Sequence, residues 1–192
     1  MLTYNQEILR KIVHLSNLII PLLLYYNDKN TILYFLIPVT ILFVSVDILR
    51  IKTKFVKNIY DTLFSSITRS NEDKKLTGAS YVFLSSSIII FFFEVQVAII
   101  SLLIMSISDT MAALFGRKYG KIVFFRKTLE GSAAFFLSSL IIVILASDSL
   151  FILAIFSITI TTIVEAYSFY DIDDNLMVPL TYALSYSILG II

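Results

Sequence analysis

The chain contains no cysteine and no tryptophan, one histidine, 5 glycines and 3 prolines among 192 residues. Without cysteine it can form no disulfide, no thiolate metal site and no cysteine nucleophile, and the redox compartment stays open. Charge is scarce as well. Asp, Glu, Lys and Arg make up 15% of the residues, against about a quarter in soluble domains. What fills the space is apolar: 58% of residues are hydrophobic and the mean hydropathy is +0.89. This balance excludes a soluble enzyme, a nucleic-acid-binding module and a disordered chain. The net charge of +1 says nothing about partners.

The apolar residues come in long runs. Charge-poor stretches cover 30–46, 76–93, 95–108, 131–147, 149–164 and 175–192. At 1.5 Å rise per residue each spans, or nearly spans, a hydrocarbon core about 30 Å thick. The N-terminal run 15–26 ends in Tyr25-Tyr26-Asn27-Asp28 with no small-residue cleavage site, so it reads as a helix and not as a cleaved signal peptide. Seven transmembrane helices are expected, near 9–26, 31–49, 78–93, 96–115, 130–146, 149–167 and 176–192. No repeat, low-complexity tract or linker divides them. The expectation is an all-α polytopic membrane bundle, a single transmembrane catalytic domain over 1–192.

The basic residues sort by side. Of 15 Lys and Arg, 14 fall in segments 1–11, 50–77 and 116–129, and Lys29 alone falls in an opposite connection. This is the positive-inside signature; it predicts a cytoplasmic N-terminus in a multi-pass protein of the cell or an internal membrane. The outer connections are very short, and Tyr25, Tyr26 and Tyr34 sit where an interfacial aromatic belt belongs. Asp47, Asp109, Glu130 and Glu165 lie within a turn or two of the cytoplasmic helix ends. Ionised carboxylates at that depth need a polar cavity or a partner, so a shared polar pocket is expected, with interhelical salt bridging as the bland alternative. Residues 50–67 differ: Ile51, Phe55, Ile59, Leu63 and Ile67 recur every fourth position opposite Lys52, Lys54 and Lys57. That pattern predicts one amphipathic helix lying in the interface, its lysines against anionic headgroups.

The stretch that carries chemistry runs from 106 to 132. Asp109, Ala112, Ala113 and Gly116 share one helical face, followed by Gly116-Arg117-Lys118-Tyr119-Gly120-Lys121 and Arg126-Lys127-Thr128-Leu129-Glu130-Gly131-Ser132. The loop 116–127 has five cations and no anion, as a triphosphate site needs, although positive-inside sorting also produces basic loops. It is not a P-loop, being one residue short and lacking the Ser/Thr. Thr128 can cap the next helix, whose free N–H groups would then face an anion, and Gly131 leaves backbone open there.

This segment resembles the dolichol kinase and phytol kinase family of CTP-dependent membrane lipid kinases. The family pattern of Gly/Ser-Asp followed by small residues, then a Gly-Arg-(Arg/Lys)-x-Gly-Lys loop and Lys-(Thr/Ser)-Leu-Glu-Gly-Ser, is matched by Ser108-Asp109, 116–121 and 127–132. Similar too are Glu7-x-x-Arg10-Lys11-x-x-His14, the run Leu76-Thr77-Gly78-Ala79-Ser80-Tyr81, and Glu165 followed by Asp173-Asp174-Asn175 and Pro179. Ser108 departs from the usual Gly. Phosphatidate cytidylyltransferases share the central loop, but their C-terminal signature with a His-Gly-Gly segment is missing here, where the one histidine is His14. The resemblance implies CTP as phosphoryl donor, Mg²⁺, and a polyprenol, phytol-like or diacylglycerol-type alcohol as acceptor at the cytoplasmic face.

Phosphoryl transfer asks a protein mainly for positioning and charge neutralisation. Mg²⁺ is usually held by one or two carboxylates plus the nucleotide phosphates. Asp109 is the first choice of ligand, with Glu130 the second and Glu165 a further candidate. Arg117, Lys118, Lys121 and Lys127, with Thr128 and Gly131, are the candidates to hold phosphates. Asp173, Asp174 and Asn175 either ligate metal, recognise ribose or merely cap the last helix. His14 shares a helical face with Glu7 and Lys11; it either accepts the acceptor's hydroxyl proton, contacts phosphate or serves as a structural hydrogen bonder. The partners are thus a nucleotide, a membrane lipid alcohol and the bilayer, with no nucleic acid; a homo-oligomer is compatible. The competing classes are a CDP-lipid-forming cytidylyltransferase and a non-enzymatic transporter. Carriers keep ionisable groups near the midplane with access from both sides, whereas here they gather at one side.

Overall fold

The computed structural model describes residues 4–64, 75–146, 151–168 and 172–191. These residues form an all-α membrane bundle. The first rod is α1 (Tyr4–Leu15), a 3₁₀ turn (Ser16–Leu18) and α2 (Ile19–Tyr26). There follow α3 (Lys29–Lys52), α4 (Lys54–Phe64), α5 (Gly78–Phe92), α6 (Val95–Leu103) and α7 (Asp109–Tyr119). A π-turn at Ile104–Ser108 joins α6 to α7 into one rod. A β-hairpin (β1, Val123–Phe124; β2, Lys127–Thr128) leads to α8 (Leu129–Ala146), α9 (Phe151–Tyr167) and α10 (Asp174–Ile191).

Four rods are long and apolar enough to cross a membrane, namely Ile8–Tyr26, Lys29–Lys52, Val95–Tyr119 and Leu129–Ala146; Gly78–Phe92 and Phe151–Tyr167 are shorter apolar helices. With α10 they match the seven expected segments. Two local expectations change. The helix expected over 50–67 is split: α3 runs on through Lys52, Thr53 is extended, and α4 begins at Lys54. Its Ile67 lies outside the described residues. The stretch expected as a loop, 116–127, instead includes the last turn of α7 and most of the hairpin.

Helices pack through small and hydroxylated residues. Ser80, Ser85, Ser86, Ser101, Ser106, Ser108, Ser139 and Ser157 are fully buried, while Phe35, Ile41, Leu42, Leu137, Leu145 and Ile152 are exposed. That inversion suits a chain whose solvent is lipid, where close backbone approach drives association more than apolar burial does. Three of these hydroxyls, Ser85, Ser101 and Ser157, are satisfied within their own helix, as Ser101 is by the Val97 carbonyl at 2.6 Å. Two apolar clusters remain. One joins α2, α3, α5 and α6 through Leu24, Leu36, Val82, Ile89 and Leu102. The other joins α6 and α7 to α8, α9 and α10 through Ile104, Phe135, Val143, Ile158 and Tyr182.

The short connections close one end. There Lys29 donates to the Phe93 carbonyl at 2.9 Å, placing a cation at the C-terminus of α5. Tyr25, Tyr26 and Tyr34 are exposed beside it. At the opposite end α3 is tied to α5 by Asp47. Its Oδ2 accepts from Thr77 N (2.7 Å), Thr77 Oγ1 (2.8 Å) and Ser80 Oγ (2.6 Å), and its Oδ1 accepts from Arg50 Nε (3.1 Å). Thr77 in turn caps α5 through Ser80 N. Asp47 therefore fastens helices and does not share a pocket with Asp109.

Candidate active site

Asp109 opens α7 directly after the π-turn. A π-turn inserts a residue into the helical register and is frequent at functional sites. Around it the backbone is reached from another helix. Lys11 of α1 pairs with the Asp109 carboxylate and also donates to the Asp109 carbonyl at 3.2 Å. His14 Nε2 lies 3.1 Å from the Met105 carbonyl and 3.6 Å from Asp109 Oδ2. A carbonyl has no proton to give, so Nε2 carries the hydrogen and Nδ1, 3.4 Å from Asn17 Nδ2, is the acceptor. The i, i+3 spacing of Lys11 and His14 on α1 delivers both to the same stretch of the π-turn rod.

The hairpin brings in the other cations. Val123 pairs with Thr128 and Phe124 with Lys127, and Phe125 takes a left-handed φ of 52° in the turn between them. No glycine or asparagine marks this turn, so residue type did not announce it. It is held from outside: Arg126 N donates to the Ala166 carbonyl (3.2 Å), the Arg126 guanidinium to the Ser168 carbonyl (2.8 Å), and that guanidinium stacks over Tyr167. Docking on the end of α9 points Lys127 inward. Its ammonium pairs with Glu165 and lies 2.9 Å from Asp174 Oδ2. Burial disfavours the charged form of Lys127, but the carboxylates of Asp174, Glu165 and Asp109 outweigh it and hold its pKa above the ordinary lysine value.

Glycines let α7 and α8 cross with backbones nearly touching. A Cβ on Gly131 would lie 3.0 Å from the Ala112 carbonyl and 3.2 Å from Gly116 Cα; one on Gly120 would lie 2.2 Å from the Gly116 carbonyl. Thr128 sits in that junction and caps α8, its Oγ1 accepting from Gly131 N at 3.2 Å. The crossing, the hairpin and α1 enclose a cavity of about 430 Å³. Lys11, Arg117, Arg126 and Lys127 face Asp109, Glu165 and Asp174 across it, with Gly116, Thr128 and Gly131 in its wall. Glu165 is 1% exposed, and its Oε2 has no hydrogen-bond partner.

The residues singled out in the sequence divide accordingly. Asp109, Arg117, Lys127, Thr128, Gly131, Glu165 and Asp174 line this cavity. Glu130 does not. Its carboxylate accepts from the backbone N–H groups of Lys121 (3.0 Å) and Ile122 (3.3 Å), pinning the start of the hairpin. Lys118 lies over the Tyr119 ring, and neither it nor Lys121 lines the cavity. Asp173 caps α10 through Asn175 N (3.0 Å), and Asn175 donates to the Gly78 carbonyl (3.4 Å). His14 and Asn175 face a neighbouring cavity. Arg10, Lys11, Arg126 and Ser168 also line the main cavity and had not been singled out as site residues. The Arg10-Lys11-x-x-His14 run was the signal available for the first two.

Comparison with known proteins adds two relatives. The chain is 34% identical over 194 residues to the uncharacterized protein RP860 of Rickettsia prowazekii, covering 96% of this chain and 95% of that one. It belongs to the same family as that protein. It is also 35% identical over 138 residues to CTP-dependent diacylglycerol kinase 1 of Saccharomyces cerevisiae, a match covering 69% of this chain and 47% of the yeast enzyme. The match thus spans about half the length of the yeast enzyme. No family model matches the chain, and no solved structure does.

Proposed function

We propose that this protein is a CTP-dependent lipid kinase that phosphorylates a neutral lipid alcohol at the cytoplasmic face of a membrane. The partial match to the yeast enzyme supports a lipid kinase using CTP, and it favours a diacylglycerol-type acceptor over a polyprenol or phytol-like one. The observation that carries the reading is the cavity in which Lys11, Arg117, Arg126 and Lys127 meet Asp109 and Glu165. Cations of that number suit a triphosphate, Arg by directional hydrogen bonds and Lys as point charges.

The carboxylates suit Mg²⁺. They are hard oxygen donors, and the buried Glu165 Oε2 without a partner is an acceptor that a cation would satisfy. Among the described residues no three His, Asp or Glu side chains converge to cage a metal unaided, so nucleotide phosphates would complete its shell. Asp109 and Glu165 are the residues to hold it. When bound, the ion would neutralise charge on the transferring phosphate.

The reaction then balances simply. The acceptor oxygen bonds to the γ-phosphorus, the bridge from that phosphorus to the β-phosphate breaks, and CDP leaves. The hydroxyl proton passes to His14 Nδ1, the ring nitrogen left as acceptor by the Met105 contact. Glu130 acts through the backbone by holding the hairpin, and Lys118 and Lys121 contribute to the field at the membrane face. The one-sided distribution of Lys and Arg supports the cytoplasmic orientation.

Product analysis tests the reading. Pure protein incubated with CTP, Mg²⁺ and diacylglycerol should yield CDP and a lipid monophosphate. Pyrophosphate with a CDP-lipid would mean a cytidylyltransferase, and no nucleotide turnover would favour transport.

A further inference from the structure

A second cavity, of about 290 Å³, lies on the other side of α1. It is walled by Val13 and His14 of α1, Asn17 of the 3₁₀ turn, Gly78, Ala79 and Phe83 of α5, with Phe43 of α3 and Asn175 of α10. Arg10 lines both cavities, so a single helix separates them. Their chemistry differs. The first holds carboxylates and cations together; among the described residues no carboxylate lines the second, whose polar side chains are Arg10, His14 and the neutral Ser16, Asn17, Tyr60, Thr77 and Asn175. Its apolar wall contains Val13 and Phe43, both exposed on the outside of the bundle, and the Phe43 ring packs on Phe83 at 4.5 Å.

His14 connects the two. Its Nε2 edge is turned to Met105 and Asp109, and its Nδ1 edge stands beside Asn17, a wall residue of the second cavity. A hydroxyl placed there would take the place of the long Asn17 amide contact at Nδ1 (3.4 Å), on a ring whose Nε2 lies 3.6 Å from Asp109 Oδ2. Neutral amides and a threonine fit an uncharged polar headgroup, and the exposed Val13 and Phe43 leave a path for hydrocarbon directly from the bilayer.

We propose that this second cavity is the acceptor site, holding the hydroxyl-bearing end of a diacylglycerol-type lipid whose chains leave between α1 and α3. It rests on the kinase reading for its purpose, but the binding itself does not need turnover. The rival location is the larger apolar groove between the first rod, α6 and the end of α8, lined by Ile19, Leu22, Ile99, Leu103 and Leu145. That groove has Ser16, Tyr25 and Gln96 as its hydrogen-bonding side chains and does not reach His14.

A photoreactive diacylglycerol analogue in detergent micelles locates the site on the intact protein. Crosslinks competed by unlabelled diacylglycerol are expected within residues 13–17 and 77–83. Crosslinks within 95–107 and 145–146 instead would overturn the assignment, with or without kinase activity. Labelling at the expected segments in a protein that transfers no phosphate would sink the kinase reading and leave the cavity standing. Ala79 is an exposed residue of the cavity wall, so Ala79→Phe fills the cavity from a position that tolerates bulk. It should raise the KM for diacylglycerol about tenfold or more and leave the KM for CTP within about twofold. An unchanged lipid KM would overturn the proposal. Asn17→Leu provides a second variant: the same pattern is expected, and a rise confined to the CTP KM counts against the site.

Discussion

Lys11 and Asp109 form an ion pair across 98 residues of sequence, joining the first helix to the start of α7. The pair does two jobs. It compensates a carboxylate set at membrane depth, and it places an ammonium where nucleotide phosphates would lie. Lys127 repeats the arrangement with Glu165 and Asp174 in the same cavity. The cavity therefore holds its own counter-charges, and a nucleotide with Mg²⁺ would exchange partners there without stranding a charge.

Asp109→Asn keeps the shape of the side chain and removes the charge that a hard cation needs. Turnover should fall by about 10²–10³ or more, with normal membrane insertion and elution as a folded species. Near-normal turnover at saturating Mg²⁺ would sink the metal assignment.

Lys127→Met should raise the CTP requirement strongly, whereas Lys52→Ala and Lys54→Ala at the junction of α3 and α4 should chiefly weaken membrane anchoring. Equal nucleotide effects from both sets would reduce the basic hairpin to a topology signal. The pH dependence has a definite sign. Lys127 has a raised pKa when folded, so its contribution to stability is complete below the unfolded lysine value of about 10.4 and fades only as pH rises through the folded value. The stability difference between wild type and Lys127→Met should be flat from about pH 6 to 9; a loss within that window contradicts the charged, paired lysine.

Gly120→Ala should destabilise the fold by about 1–3 kcal/mol or more, since its Cβ would meet the Gly116 carbonyl at 2.2 Å. Gly190→Ala, with nothing within 4 Å, is the control. Thermal unfolding in one detergent compares them, and equal midpoints would mean that the α7–hairpin junction is looser than described.

Asp47→Ala removes the carboxylate paired with buried Arg50 and the acceptor of Thr77 and Ser80. It should cost about 3–5 kcal/mol and cut expression, while the protein that does fold keeps its KM for CTP. A selective rise in that KM would instead tie Asp47 to the nucleotide cavity.

Sidedness can be read on a cysteine-free background. A cysteine introduced by Lys118→Cys should react with an impermeant maleimide only after the cytoplasmic face is opened, and one introduced by Lys29→Cys should react from outside. The reverse pattern would overturn the cytoplasmic kinase.

The membrane bundle was legible because hydrophobic run length and Lys/Arg asymmetry are properties of consecutive residues. So was the pairing of Asp109 with the Gly-Arg-Lys-Tyr-Gly-Lys loop, which lie within one turn or two of each other. Asp47, Asp109, Glu130 and Glu165, at one depth, were expected to share one polar pocket, because depth along a rod is readable from sequence while rotation around it is only partly so. Asp47 turns to Thr77 and Ser80, and Glu130 turns to its own loop's N–H groups. The hairpin was missed for a related reason. Its turn has no glycine or asparagine, and it is imposed by Arg126 binding the Ala166 and Ser168 carbonyls about 40 positions away.

By itself, then, the sequence determined the membrane class of the protein, the number and rough limits of its apolar helices, the uneven distribution of its basic residues along the chain and the segment for which chemistry is proposed. These follow from short-range pattern and from the cost of charge in hydrocarbon. Only the tertiary structure decided that Lys11, Asp109, Lys127, Glu165 and Asp174 share one cavity, that Glu130 and Asp47 stand outside it, and that His14 faces a second. Those outcomes depend on the crossing of α1 over the π-turn and on the glycine contact between α7 and α8. Both are contacts between helices distant or reversed in the chain, which no local period encodes.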